Sequence, residues 1–273
     1  MSQSPESRSA ESRAAGSRIR LLSETTVNRI AAGEVIERPA AAAKELVENA
    51  LDSGATRITV ALDGGGIDRL EVADNGCGMN AAELALCVLR HATSKLTDES
   101  LVRITTLGFR GEALPSIGAA ARLRITSRSA GAEHANVITV EGGAVSAVMP
   151  AAAPLGTQVV VRDLFFATPA RRKFLKNART EASHAEAVVR RLALSAPGVG
   201  FRLDIDGRTV FEAPAQARVE RVAALLGAEA AAGLLPVDEE RHGIRISGYV
   251  CSPAVNRITP AGQVLIVNNR PVA

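Results

Sequence analysis

A helical period organises residues 39–52, where apolar and polar side chains separate onto two arcs of a helix with about 3.6 residues per turn. The apolar arc contains Ala43, Leu46, Val47, Ala50 and Leu51. The polar arc contains Lys44, Glu45, Glu48, Asn49 and Asp52. This pattern predicts an amphipathic surface helix with one face on a core, beginning at Pro39 and ending at Gly54. Ser23 is predicted to cap a shorter helix before it, through Ile30.

Alternation with a period of two predicts strands in several places. Residues Ile58, Val60 and Leu62 alternate, and Leu70 and Val72 return after a run of three glycines, so we expect an antiparallel hairpin. The same criterion predicts six more strands, at Leu123–Arg128, Val137–Glu141, Val145–Met149, Thr157–Leu164, Ile244–Cys251 and Gln263–Asn268. Two further runs, Phe201–Ile205 and Thr209–Glu212, form a predicted hairpin across Asp206-Gly207. A short strand is also expected at Arg18–Leu22.

Three more helices and two boundaries complete the organisation. Asn80 and Glu83 have the spacing of a capping box, followed by a helix that buries Leu84, Cys87 and Val88. The other two helices are predicted at Arg179–Leu194 and at Arg218–Leu226, which Gly227 ends. Residues 1–17 lack an apolar period and are expected to form a disordered tail. The Ala213-Pro214-Ala215 segment indicates a linker, so we predict one domain over 18–214 and a second over 215–273.

Composition narrows the classes of protein. The 273 residues are 47% hydrophobic and 22% charged, which is typical of a globular chain. Aromatic residues make up 3% with no Trp, so the core is expected to be aliphatic, and base stacking on aromatic side chains is disfavoured. A net charge of +3 permits an anionic partner. Three cysteines without a CxxC pattern favour a reducing compartment, and no apolar run approaches the ~18 residues of a membrane span. We therefore expect a cytoplasmic protein without a secretory signal.

The polar arc of the first long helix carries the most specific candidate chemistry. Glu45 and Asn49 are four residues apart, so their side chains project from the same side of the helix. A carboxylate there can take a proton from water, and an amide oxygen can join the oxygen shell of Mg²⁺. The alternative is that the polar arc is only a solvated face.

Two glycine-containing segments are candidates for nucleotide contacts. Asp74 ends a strand just before Gly76 and Gly78, where its carboxylate can accept a hydrogen bond from an exocyclic amine such as that of adenine. An ordinary Asp-Asn turn is the alternative. Gly108 and Gly111 bracket a loop that leads into a helix start, an arrangement suited to a phosphate-binding lid, although it is not a Walker A sequence and a plain loop has the same composition.

A basic cluster follows the fourth predicted strand of the 123–164 region. It consists of Arg171, Arg172, Lys173 and Lys176. Contact with a phosphate backbone is one interpretation, and a solvated face is the other.

The ordered set of motifs resembles the GHKL ATP-binding fold shared by gyrase B, Hsp90, histidine kinases and MutL, and it is similar to the MutL family in particular. The segments that carry the resemblance are Asn28–Val35, Lys44–Ala55, Asp74–Gly78, Arg90–Lys95, Gly108–Leu114 and Thr168–Leu175. The resemblance implies an α+β sandwich, in which helices cover a mixed, mostly antiparallel sheet. It also implies that residues from 215 begin a transducer domain of the ribosomal-S5-like type, and a second unit this short is expected to be incomplete.

The resemblance also implies a role for each matched position. Glu45 would be the general base, Asn49 would ligate Mg²⁺, and Asp74 would recognise the adenine amine with Thr157 in support. Gly78 would leave room for the nucleotide. The residues expected to fold over the ATP phosphates are Thr93, Ser94, Lys95, Gly108, Phe109, Arg110, Gly111, Glu112, Ala113 and Leu114. Lys173, Lys176 and Arg270 would contact DNA. The family's γ-phosphate lysine has no counterpart here, so weak hydrolysis by residues 1–273 is expected.

The function implied by this resemblance is an ATPase switch in DNA mismatch repair. The expected partners are DNA, a mismatch-recognition protein of the MutS type, a second copy of the chain that joins when ATP binds, and a sliding clamp, helicase or endonuclease. Two other classes stay open from the residues. A histidine kinase would transfer the phosphoryl group to protein and would not need Glu45 as a base for water. A DNA-binding module with a vestigial nucleotide site would not need intact Glu45, Asn49 and Asp74.

Overall fold

The computed structural model describes residues 21–95, 106–108, 111–253 and 262–272. The predicted tail over 1–17, residues 18–20 of the first predicted strand, and Phe109 and Arg110 of the predicted lid lie outside those ranges. The helices of the described part are α1 (Glu24–Val35), α2 (Pro39–Asp52), α3 (Ala81–Leu86), α4 (Ala113–Ala120), α5 (Pro169–Arg172), α6 (Ala178–Ser195), α7 (Arg218–Leu226) and α8 (Ala228–Ala232).

The strands alternate with these helices along the chain. They are β1 (Arg57–Asp63), β2 (Arg69–Asp74), β3 (Arg122–Arg128), β4 (Ala135–Glu141), β5 (Ala144–Val145), β6 (Met149–Ala151), β7 (Gly156–Arg162), β8 (Gly200–Ile205), β9 (Arg208–Ala213), β10 (Leu234–Arg241), β11 (Ile244–Cys251), β12 (Leu265–Val267) and β13 (Arg270–Val272). Helix α2 begins at Pro39 and Gly54 follows it with a φ of 74°, so both predicted ends of this helix are confirmed.

Nine strands form one sheet in the order β5-β4-β3-β7-β2-β1-β8-β9, with β6 also paired to β4. Every pairing in it is antiparallel except β1 with β8. The predicted hairpin is confirmed, because Val60 lies opposite Val72 in the β1–β2 register. The architecture is therefore a mixed, mostly antiparallel sheet with helices packed on it, as expected.

The core lies between this sheet and helices α2, α4 and α6. Ile58 and Val60 of β1 are fully buried, as is Leu70 of β2, so the alternating positions of the hairpin face the helices. Burial of aliphatic side chains supplies most of the driving force, at roughly 25 cal/mol per Å² of apolar surface. The aliphatic core predicted from composition is confirmed, with Phe165 and Phe201 as fully buried aromatic exceptions.

Some boundary predictions were wrong. The strand predicted at Val145–Met149 is two short strands, β5 and β6, which pair with opposite ends of β4. The interruption comes from Ser146, whose hydroxyl accepts the Thr139 amide at 3.0 Å in place of a backbone carbonyl. Helix α1 continues past Ile30 to Val35, and Leu21 and Leu22 are not in a strand. Strand β10 was not predicted, because it contains Pro236 and four consecutive charged residues.

A buried arginine joins the two sides of the predicted linker. The Arg221 side chain on α7 is fully buried, and its guanidinium donates to the carbonyls of Ala193, Val199 and Pro214 at 2.6–2.8 Å. Burial lowers the pKa of this guanidinium. Helix α7 is therefore fastened to the end of α6 and to the chain after β9. The domain boundary at 215 stays a prediction.

Candidate functional site

Helix α2 brings the predicted magnesium ligand together with a cation. Lys95 Nζ donates to Asn49 Oδ1 at 2.7 Å and to Asp52 Oδ2 at 2.5 Å. Asn49 and Asp52 lie three residues apart, so both face the same side of α2. The Lys95 side chain is 19% exposed and that of Asp52 is 9% exposed, which makes this a partly buried ion pair. Two oxygens of α2 thus already hold a positive charge.

The predicted general base lies beside a second ion pair on the same helix. Lys44 Nζ is 2.9 Å from Glu48 Oε1 and 3.6 Å from Glu45 Oε1. Glu48 is 5% exposed, so this member of the polar arc is buried and the alternative of a wholly solvated face does not hold for it. Burial raises the pKa of Glu48, and the hydrogen bond and charge of Lys44 oppose that rise. Burial alone would lower the pKa of Lys44, but its carboxylate partners outweigh burial and the net direction is upward.

Asp52 also holds the described part of the predicted lid. Its carboxylate accepts the Leu107 amide at 2.8 Å and the Gly108 amide at 3.0 Å. Gly108 lies against the ion pair, since a Cβ added there would be 3.0 Å from Lys95 Nζ. Gly111 has a φ of +63°, and a Cβ there would be 2.6 Å from the Ala92 carbonyl, so Gly108 and Gly111 both lie against the 92–95 segment. One carboxylate therefore connects α2, Lys95 and the loop.

Asp74 lies at the end of β2 and contacts the C-terminal end of helix α2, next to Asp52. Its Oδ1 accepts the Gly76 amide at 2.8 Å and the hydroxyl of Ser53, the residue that caps α2, at 3.4 Å. Burial raises the pKa of Asp74, against the effect of these hydrogen bonds. The carboxylate is thus fixed by local donors at the strand end where the adenine contact was predicted.

Thr157 lies opposite Asp74 in the β2–β7 register. The Thr157 hydroxyl is 2.9 Å from the Ser127 hydroxyl. Ser127 is fully buried, and its hydroxyl also accepts a hydrogen bond from the Met79 amide at 2.8 Å. Gly78 has a φ of +67°, and a Cβ there would lie 2.1 Å from the Arg128 carbonyl. The structure itself therefore requires glycine at position 78, independently of any nucleotide.

The remaining predicted lid residues lie around the same loop. Lys95 donates its amide to the Thr93 hydroxyl at 3.1 Å, and Thr93 and Ser94 are exposed. Glu112 occupies the N-cap position of α4 without a side-chain capping bond, and its Oε1 is 3.6 Å from His91 Nδ1. Ala113 begins α4, and Leu114 packs against the core.

The residues predicted to bind DNA lie on two different segments of the chain. Lys173 and Lys176 are exposed just after α5, next to Arg171 and Arg172. Arg270 lies on β13, and its guanidinium donates to the Thr106 carbonyl at 2.5 Å. Arg270 therefore contacts the segment that leads into the predicted lid.

Four residues of this region were missed as candidates: Lys44, Asp52, Ser53 and Ser127. Asp52 carried a usable signal, because it lies one helical turn after Asn49 on the polar arc. Ser53 was considered only as a helix end. Ser127 gave no signal, because its position beside Thr157 depends on the pairing of β3 with β7.

The fold and the arrangement around α2 agree with the comparisons made with known proteins. Residues 37–154 match the family model described as histidine kinase-, DNA gyrase B-, and HSP90-like ATPase. That match gives the class of the chain: it has the GHKL ATPase fold. Residues 222–273 match a second model, described as DNA mismatch repair protein, C-terminal domain.

Curated relatives give the particular family. The chain is 59% identical over 254 residues to DNA mismatch repair protein MutL of Acidiphilium cryptum, and 54% identical over 260 residues to MutL of Paramagnetospirillum magneticum, with 93% of this chain covered in each case. The Aquifex aeolicus MutL ATPase domain complexed with ADP matches at 29% identity, with a TM-score of 0.71, covering 87% of this chain and 84% of that one. The chain belongs to the MutL family. It spans about 44% of the length of the Acidiphilium relative.

Within the described ranges, no helix combines the length and apolar character that crossing a bilayer requires.

Proposed function

We propose that this chain is the ATP-binding and hydrolysing switch of a DNA mismatch repair protein. The observation that carries the proposal is that a single helix collects the predicted nucleotide residues. Helix α2 bears Glu45, Asn49 and Asp52, its capping residue Ser53 contacts Asp74, and the Asp52 carboxylate holds the Gly108 amide. The proposed base and metal ligand thereby lie on one helix, and the proposed adenine contact and lid are bonded to its C-terminal end.

The roles follow from the chemistry of each group. Glu45 takes the proton of the attacking water, as a carboxylate within hydrogen-bond reach of that water can. Asp74 accepts the adenine amine, beside Thr157 of the adjacent strand. Asn49 would hold Mg²⁺, which neutralises charge on the phosphates when it is bound. The fit of this site to a cation rests on the Lys95 ammonium, which already lies 2.7 Å from Asn49 Oδ1. Thr93, Ser94, Lys95 and residues 108–114 fold over the phosphates.

The partners belong to the same proposal. ATP binding orders the lid and promotes pairing of two copies, and hydrolysis resets the cycle. DNA is bound without sequence preference through Lys173, Lys176 and Arg270, since lysine and arginine contacts to phosphates carry no sequence information. A MutS-type protein, and a sliding clamp, helicase or endonuclease, would join in the cytoplasm at the chromosome.

One experiment separates this function from its alternatives. Mg-ATP turnover is measured with and without DNA, with ATP labelled in its γ-phosphoryl group, and the protein is tested for transferred label. Release of phosphate without labelled protein supports the switch, and labelled protein supports a histidine kinase. Asp74→Asn should abolish ATP binding in calorimetry, because one acceptor oxygen becomes a donor, and a buried unpaired group costs roughly 1–3 kcal/mol. Asp63→Asn, at the end of β1, is the matched control and should bind like the parent. Unchanged affinity in Asp74→Asn would contradict the adenine assignment.

A further inference from the structure

Phe174 is the most exposed aromatic side chain in the described part of the chain, at 75%. Phe165, Phe201 and Phe211 are buried, and Phe166 and Tyr249 are half-buried. Leaving a phenyl ring in water forfeits the burial energy that the other rings gain. In a chain with 3% aromatic residues, this ring requires a separate explanation.

The turn that presents Phe174 is fixed on both sides. The Phe174 amide donates to the Arg171 carbonyl at 3.0 Å, and the next residue, Leu175, packs against the core. The Lys176 amide donates to the Glu181 carboxylate at 2.9 Å, and Glu181 is fully buried in α6. The ring is therefore held outward on a supported turn.

The surroundings of the ring are strongly positive. Arg171 and Arg172 precede it in α5, and Lys173 and Lys176 flank it. Across the described ranges, no carboxylate forms an ion pair with any of these four side chains. An unneutralised basic group around one exposed ring favours a partner that has both negative charge and flat apolar faces.

We propose that Phe174 stacks on a base of single-stranded DNA while the four surrounding cations bind its phosphates. This inference rests on the proposed DNA binding and deepens it. Unpaired bases expose their faces, whereas the faces of a duplex are covered by neighbouring base pairs, so the ring distinguishes the two forms of DNA. The low aromatic content disfavoured base stacking in general, and among the aromatic residues that the structure describes Phe174 is the exception.

The chain contains no Trp, so Phe174→Trp introduces one fluorophore at the proposed contact. Titration of Phe174→Trp with an oligodeoxythymidylate should quench its emission, and a duplex of the same length should quench it much less. Phe174→Ala should weaken binding of the single strand by roughly 5- to 150-fold, as expected for the loss of one stacked base, and leave duplex binding within about twofold. Phe174→Leu, which keeps apolar volume without the ring, should resemble Phe174→Ala.

Two results would overturn the stacking role: unchanged single-strand affinity in Phe174→Ala, or equal losses on single strand and duplex. Thermal unfolding of each variant should match the parent, since the ring is exposed. Lys173→Glu tests the surface itself and should weaken both DNA forms. If Lys173→Glu changes neither, the proposed DNA surface is wrong, and that failure is distinct from failure of the ring alone.

Discussion

The Lys95 ammonium lies 2.5 Å from Asp52 Oδ2, and the same carboxylate accepts the backbone amides of Leu107 and Gly108. Lys95 also donates to Asn49 Oδ1, the oxygen proposed to bind Mg²⁺. A metal ion and this ammonium compete for that oxygen because both are cations. If Asn49 held Mg²⁺, Lys95 would have to release this oxygen, and the Asp52 contacts to the loop are the adjacent part of the same network.

Asp52→Ala should release the loop from α2. We expect the Leu107 and Gly108 amides to lose protection in hydrogen exchange, because each loses its acceptor. Lys95→Met is the matched control, since it removes the cation and keeps both amide bonds. Equal protection of these amides in Asp52→Ala and in the parent would show that the carboxylate does not restrain the loop.

Lys44→Met should lower the free energy of unfolding by about 1–3 kcal/mol, because it leaves the buried Glu48 carboxylate without its partner. Lys44 opposes the burial that raises the pKa of Glu48, so this pKa should rise further in the variant. A carboxyl whose folded pKa lies above its unfolded value binds protons more readily when folded. The loss of unfolding free energy in Lys44→Met, relative to the parent, should therefore be larger at pH 8 than at pH 5, as measured by urea denaturation.

Adding Glu48→Gln to Lys44→Met supplies the control for that experiment, since it removes the buried charge. In the double variant, the loss of unfolding free energy relative to the parent should be nearly the same at pH 5 and pH 8. A deficit that is the same at pH 5 and pH 8 in Lys44→Met would argue against the buried ion pair.

Cysteine labelling reports on the predicted adenine loop. Cys77 is exposed between Gly76 and Gly78, whereas burial raises the pKa of Cys87 to about 12. The thiolate is the nucleophile, so iodoacetamide at pH 8 should modify Cys77 quickly and Cys87 slowly. ADP should protect Cys77 and leave labelling of Cys251 unchanged, as measured by mass spectrometry. Protection of Cys77 that persists in Asp74→Asn would contradict the adenine role of Asp74, and absence of protection in the parent would place the nucleotide elsewhere.

Charge reversal at Lys176 should weaken binding to all duplex sequences alike. The slope of log affinity against log salt concentration should fall by about 0.9 for each lost phosphate contact. Arg245→Glu, on exposed strand β11, serves as the control and should keep the parent's slope. A Lys176→Glu protein with the parent's slope would mean that the cluster is only a solvated face.

Local patterns were sufficient for most elements of the described fold. The Ile58–Val60–Leu62 alternation, the Asn80–Glu83 capping box and the Pro39 helix start all depend on neighbouring residues, and each is confirmed. Strand β10 was missed because its pairing with β11, rather than its own composition, makes it a strand. Ser146 interrupts a predicted strand through its side chain, which periodicity does not represent.

The residues of the candidate site likewise fall into those that local spacing identifies and those that depend on contacts between distant parts of the chain. Glu45 and Asn49 were found together because helical spacing alone brings their side chains to one side. The contacts of Asp52 with Leu107 and of Asp74 with Ser53 span 55 and 21 residues, so no local pattern contains them. Arg270 was grouped with the lysines on resemblance, and its contact with Thr106 spans 164 residues.

The central claim is that Glu45 is the base that activates water for ATP hydrolysis, and single-turnover hydrolysis with enzyme in excess over Mg-ATP tests it most directly. Glu45→Ala should bind ATP as the parent does in calorimetry, because Asn49, Asp74 and the loop stay in place. Its hydrolysis rate should fall on the order of 10²–10⁴-fold. Glu239→Ala, on exposed β10, should hydrolyse ATP at the parent's rate. A Glu45→Ala protein that hydrolyses bound ATP as fast as the parent would contradict the assignment of α2 as the catalytic helix.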